Sequence, residues 1–124
     1  MEKTEFKFED LKIYQRALDL VNIVYETCEN FPNSENYNLT SQFKRASVSI
    51  ALNIAEGSGD TDAQFNRFLQ IALNSLKECV VCATIAERQN FIDSNRDILI
   101  REKLQELSKM ITSLQKYLKK NTKN

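Results

Sequence analysis

The sequence predicts an all-α protein, an antiparallel up-down-up-down four-helix bundle folded as a single domain over residues 1–124. Three observations predict it. The chain holds two Gly and one Pro in 124 residues, too few turn formers for a sheet protein, so its elements are few and long. Apolar residues recur at alternating spacings of three and four, the pattern of one helix face. The stretches between these segments are short, and short connections force consecutive helices to run antiparallel.

Helix one is expected over about residues 10–30, opening at Asp10, an N-cap type residue. Leu11, Tyr14, Leu18, Val21, Tyr25 and Cys28 form one continuous seam. Ile13, Ala17, Leu20 and Val24 form a second stripe beside it, so the apolar face is wider than packing on one neighbour requires. Phe31-Pro32 ends the helix, because the residue before Pro is pushed out of the α region. A polar connector (residues 33–38) leads to helix two at 39–56. Gly57 suits the left-handed C-terminal cap, so Gly57-Ser58-Gly59 is a stop signal. Helix three is expected at 61–89, capped by Asp60 or Thr61, with the seam Leu69, Ala72, Leu76, Cys79, Ala83 and Ala86 and with Phe65 and Phe68 adding bulk at its start. A link over 91–95 supplies Asp93 or Ser94 as the next cap. Helix four, at 95–120, carries Ile100, Leu104, Leu107, Ile111, Leu114 and Leu118, and the tail at 121–124 is expected to fray.

Helix two differs from the others. Many of its apolar residues are small (Ala46, Val48, Ala51, Ala55), and a polar stripe of Gln42, Arg45, Ser49, Asn53 and Glu56 runs along one face. Ser and Asn are poor helix formers that compete for backbone hydrogen bonds, so their place in mid-helix points to a buried or half-buried polar network. With helices two and three meeting at the 57–60 turn, Arg45 falls opposite residues 73–75, within reach of Ser75 and Glu78. The expectation is an Arg45–Glu78 charge pair, with Ser49 and Asn53 bridging the helices and Arg67 the cation nearest Glu56. Two roles stay open for the stripe: a device that fixes helix register or subunit contacts, or a site for a ligand or nucleic acid.

The charges balance at 17 basic and 17 acidic, which argues against a nonspecific nucleic-acid binder by total charge. Their distribution is uneven. Residues 1–100 carry a net of −5 and residues 101–124 a net of +5. The surplus (Lys109, Lys116, Lys119, Lys120 and Lys123) either completes a basic helix C-terminus favoured by the macrodipole or forms a candidate nucleic-acid contact.

No His is present, which removes Ser-His and Cys-His nucleophile pairs, His bases and His metal ligands. Cys79-x-x-Cys82 has only Cys28 to join it, short of the four ligands of a structural zinc site. It also falls mid-helix, away from the helix N-terminus that favours a thiolate. The cysteines are expected to be small core residues. No strand precedes Gly57-Ser58-Gly59 and no Lys-Ser/Thr follows it, so it is not a phosphate loop. Thus no catalytic residue, metal site or cofactor is expected. The first ten residues lack an apolar run, no apolar stretch approaches the roughly 18–20 residues of a membrane span, and three cysteines are no disulfide scaffold. A cytoplasmic protein without a membrane partner is expected.

FEDLKIYQRA (8–17), Phe31-Pro32, LTSQFKRASVSIALNIAEG (39–57) and FLQIALNSLKE (68–78) resemble the four-helix-bundle proteins encoded in intervening sequences of bacterial 23S ribosomal RNA genes. The resemblance covers roughly residues 6–118. The family's Arg-Ala, Ser, Asn-Ile-Ala-Glu-Gly, Gly-Ser and Glu correspond to Arg45, Ala46, Ser49, Asn53 to Gly57, Ser75 and Glu78. This chain departs at Asn74, where the family usually has Gly, and the larger side chain is expected to loosen the helix contact near Arg45. The resemblance implies a homopentamer with no established enzymatic activity. A similar fold occurs in accessory proteins of diversity-generating retroelements, basic pentamers that bind nucleic acid and a reverse transcriptase, whose basic excess this chain lacks. The expected function is a non-enzymatic, self-assembling scaffold or adaptor. The alternative is an RNA-binding protein tied to ribosomal RNA or another nucleic acid through the Lys-rich end of helix four.

Overall fold

The computed structural model describes residues 2–121, so Lys123 lies outside the described residues. Four helices carry the fold: α1 (Lys12–Cys28), α2 (Leu39–Gly57), α3 (Asp62–Arg88) and α4 (Ser94–Asn121), with 3-10 turns at Lys7–Asp10 and Asn33–Glu35. No strand occurs among the described residues. Each helix packs on two others in the order α1, α2, α3, α4 and back to α1. The partners run in opposite directions. Arg16 meets Glu106 while Arg96 meets Glu26, and Gln115 meets Gln70 while Arg101 meets Thr84.

The core follows the expected seams of α3 and α4 closely. Leu69, Ala72, Leu76, Cys79, Ala83 and Ala86 are all buried, as are Ile100, Leu104, Leu107, Ile111 and Leu118, with Leu114 half-buried. Phe43, Ile50 and Ile54 of α2 fill the centre. Full burial of one such side chain contributes about 1.5–3 kcal/mol. Phe31 seals one end, its ring 6.4 Å from Phe43 and 5.5 Å from Phe91.

In α1 the two stripes exchange roles. Ile13, Ala17, Leu20 and Val24 are buried, whereas Leu11, Tyr14, Leu18 and Val21 are half-buried and Tyr25 is exposed. The inner stripe faces the gap between α2 and α4, and the wide face therefore spills past the bundle edge. The helix also starts later than Asp10. Asp10 closes a 3-10 turn, and Leu11 is extended (ψ 127°) before α1 begins at Lys12.

The caps separate two uses of glycine. Gly57 is the last residue of α2, and the left-handed backbone falls instead on Gly59, at φ +87°. Gly57 is small for another reason: a Cβ there would stand 2.8 Å from Phe68 Cβ and 3.2 Å from Phe65 Cα. Thr61 caps α3, its hydroxyl accepting from the Gln64 amide at 3.2 Å, and Asp93 caps α4 by accepting from the Arg96 amide at 2.8 Å. α3 closes with Asn90 at φ 62°; the Phe91 amide donates to the Ala86 carbonyl at 2.8 Å, and the Asn90 amide to that of Glu87 at 3.0 Å. This is a Schellman ending with Asn in the place Gly usually takes.

One expectation is corrected. α3 holds an 18-residue window of mean hydropathy 1.4, long and apolar enough to cross a membrane by length and composition. Lys77 and Glu78 interrupt the stretch between Leu69 and Ala86, so no unbroken apolar run marks it in the sequence. The seam of α3 is buried on the other helices, as in the central helix of a bundle.

Replacing Gly57 by Ala tests the close approach. In an unobstructed helix the change stabilises by about 0.5–1 kcal/mol. Here the added carbon meets atoms on or next to the α3 backbone, and overpacking of that kind costs about 1–3 kcal/mol. A lowered urea midpoint is expected; a raised one would show that α3 yields.

Candidate functional site on the second helix

The polar stripe divides. Its centre turns toward α3: Ser75 is buried and Ser49 and Asn53 are half-buried. The Ser49 and Ser75 hydroxyls hydrogen-bond at 2.9 Å, and Asn53 Nδ2 donates to the Ser49 carbonyl at 2.8 Å and to Ser49 Oγ at 3.1 Å. The contact across α2 and α3 is that of the two serine hydroxyls; Asn53, expected to bridge the helices, instead bonds within α2 and buttresses Ser49.

Gln42, Arg45, Glu56 and Glu78 are exposed. The expected Arg45–Glu78 charge pair is corrected: among the described residues no ion pair joins them. Nor does Arg67 pair with Glu56; its guanidinium lies 5.9 Å from the Phe68 ring centroid. Helices in hydroxyl-to-hydroxyl contact leave no space between them for an arginine and a glutamate. Both long side chains extend outward, where water solvates them without the desolvation cost of a buried pair. Asn74 is exposed too and accepts from Gln70 Nε2 at 3.3 Å, so it points away from α2 and does not loosen that contact.

Two grooves flank α2. One lies between α1 and α2, about 310 Å³, lined by Tyr25, Lys44, Arg45, Val48, Ser49 and Leu52. The Lys44 ammonium sits 4.7 Å from the Tyr25 ring centroid. The other lies between α2 and α3, about 410 Å³, with Gln42, Glu78, Val81, Cys82 and Ile85 on its walls. The apolar side of this second groove was missed in the sequence. Ile71, Val81 and Ile85 are exposed on α3, and their positions with Asn74 and Glu78 repeat the three-four spacing outside the core seam. That repeat was the available signal.

On α4, Lys109, Lys116, Lys119 and Lys120 are exposed. Among the described residues no group of three or more Cys, Asp or Glu side chains is placed to hold a metal ion. The three cysteines are free and buried. Burial pushes the Cys28 thiol up to about 11 against the pull of Lys44, and burial with the nearby Glu78 pushes Cys82 up to about 11. Cys79 is raised further, by burial first. Thiols held protonated in this way are the opposite of activated nucleophiles.

Ser49→Ala removes a hydroxyl that both Ser75 and Asn53 use, so a loss of about 1–2 kcal/mol is expected in chemical denaturation. Glu78→Ala, at an exposed position without an ion pair among the described residues, is expected to change stability by less than about 0.5 kcal/mol. A loss of several kcal/mol for Glu78→Ala would restore the buried-pair account.

The profile of the 23S rRNA-intervening sequence protein family matches residues 9–113. A crystal structure of a protein of unknown function from the S23 ribosomal protein family of Bacteroides thetaiotaomicron superposes with a TM-score of 0.74 at 22% identity, covering 84% of this chain and 98% of that one. At that identity the likeness speaks for the fold. No curated protein matches at a significant level. With the four-helix fold in place and a family match spanning most of its length, the chain belongs to the 23S rRNA-intervening sequence protein family.

Proposed function

We propose that the protein is a non-enzymatic, self-assembling bundle that serves as a scaffold or adaptor in the cytoplasm, as the homopentamer that its family resemblance implies. The observation that carries this is the apolar strip left open along α1 and α2. Leu52 is 63% and Tyr25 43% exposed, and Tyr14, Leu18, Val21 and Val48 lie half-buried beside them. A contiguous apolar surface of this kind on a small domain marks an interaction site. Three free, protonated thiols suit a reducing compartment.

A second role, RNA binding, is favoured by α4. Lys109, Lys116 and Lys120 share one exposed helix face, and the 61%-exposed Tyr117 flanks them. Lysines supply phosphate contacts, and an exposed aromatic ring offers a base a stacking surface. Assembly would bring several such stripes together and offset the neutral total charge of each chain.

Sedimentation of the purified protein at micromolar concentration is expected to return a multiple of the chain mass, and Leu52→Glu to shift it toward the single chain. A wild-type protein that sediments as a monomer rejects the scaffold. For RNA, a gel-shift titration is expected to show affinity that falls with salt, with Lys116→Ala lowering the slope by about one. Binding that is absent at about 50 mM salt, or insensitive to salt, removes this role.

A further inference from the structure

The two grooves beside α2 differ in charge. The charged residues lining the α1/α2 groove are Lys44 and Arg45, set among Tyr25, Val48 and Leu52. The α2/α3 groove carries Glu35 and Glu78 with Lys77, set among Leu39, Val81 and Ile85. Each groove also presents large aliphatic side chains to solvent: Leu52 is 63% exposed in the first, Val81 57% and Ile85 42% in the second.

We propose that these grooves are the two halves of one interface between copies of this chain. The α1/α2 groove of one copy seats on the α2/α3 groove of the next, with Arg45 of the first facing Glu78 of the second. The proposal rests on the self-assembly proposed above and names the surfaces that carry it.

Charge complementarity selects this pairing over a symmetric one. An isologous contact through the α1/α2 groove would set two cations, Lys44 and Arg45, against the same two of the other copy, whereas the α2/α3 groove, with Glu35 and Glu78 against the single Lys77, carries the net negative charge that complements it. Like charges brought together in an interface are costly, whereas the head-to-tail arrangement brings opposite charges together. The aliphatic side chains fit the same pairing: with α2 of one copy antiparallel to α3 of the next and Arg45 facing Glu78, Leu52 comes level with the exposed Ile71 of the neighbour. Arg45 and Glu78 are both available, because no ion pair within the chain engages them among the described residues.

The geometry also bears on closure. The grooves lie on adjacent sides of the four-helix ring and share α2, so they face roughly at right angles to each other. A head-to-tail contact repeated through such faces turns sharply at every copy. It therefore closes on itself after a few copies, with α2 toward the axis, where faces on opposite sides would extend into a fibre.

Charge reversal in trans tests the pairing. Arg45→Glu and Glu78→Arg are made separately in the full chain, and sedimentation measures assembly of each alone and of an equimolar mixture. Both positions are exposed, so the helical circular dichroism should match the wild type. Each variant alone is expected to assemble at least tenfold more weakly. The mixture is expected to recover complexes that contain both variants, because the carboxylate introduced at position 45 of one copy then meets the guanidinium introduced at position 78 of the other. Repair of a contact inside one chain would not produce this rescue.

Wild-type assembly with both variants unaffected overturns the interface and leaves self-assembly standing. A monomeric wild type overturns both. Weakened variants that do not rescue each other overturn the Arg45–Glu78 pairing. Should a reversal fail to fold, Arg45→Cys copies are mixed with Glu78→Cys copies and treated with a bis-maleimide long enough to span an Arg–Glu pair, because a direct disulfide reaches only Cα atoms within about 7 Å. A cross-link joining one of each is expected, and its absence in an assembled sample overturns the proposal.

Discussion

At Gly57 the backbones of α2 and α3 come so close that a single added carbon would touch Phe65 and Phe68, and two turns earlier the Ser49 and Ser75 hydroxyls meet at 2.9 Å. This closeness governs the remainder of the bundle. It requires the small, buried Ala46, which shares the α3-facing side of α2 with Ser49, Asn53 and Gly57, since a bulkier residue would hold the helices apart. It also decides which polar groups may stay between the helices. A hydroxyl and a carboxamide fit and satisfy one another; a guanidinium and a carboxylate do not fit and are displaced to the surface.

That displacement links the packing to what the molecule offers a partner. Charged side chains expelled from the α2/α3 contact stand beside apolar residues that the four-helix ring cannot cover. α1 contributes more apolar surface than α2 and α4 can enclose, and Tyr25 and Leu52 are left at its edge. α3 is apolar on its core seam and again on the stripe of Ile71, Val81 and Ile85. Two neighbouring faces thus combine greasy side chains with charges of opposite sign, a composition that suits association.

The chemistry of the interior points the same way. Among the described residues its titratable groups are thiols, and burial keeps them protonated. Its polar contacts between helices pair hydroxyls and amides, such as Ser49 with Ser75 at 2.9 Å and Gln115 with Gln70 at 3.2 Å, while the buried Thr27 and Ser47 hydroxyls donate to carbonyls of their own helices. Groups of this kind fix how helices sit against each other. The shared fold of the Bacteroides protein, with 98% of its chain covered, shows that the same helical frame tolerates extensive sequence change.

The sequence by itself determined the four helices, narrowed the caps of α3 and α4 to Asp60 or Thr61 and to Asp93 or Ser94, and marked the seams of α3 and α4 and the register that brings Ser49 near α3. Each of these depends on local periodicity, on capping chemistry or on the antiparallel register that a short turn imposes. The tertiary structure decided the rest. Which of the two α1 stripes is buried depends on where α2 and α4 stand, and both stripes satisfy the same helical period. Gly57 lies next to a turn and suits a left-handed cap, yet it serves an approach to Phe65 and Phe68 that no local pattern reveals. Arg45 and Glu78 fall opposite each other in register, but whether they pair depends on the distance between helix axes. That distance is set by the side chains packed between the helices, and helical spacing along a single chain carries no record of it.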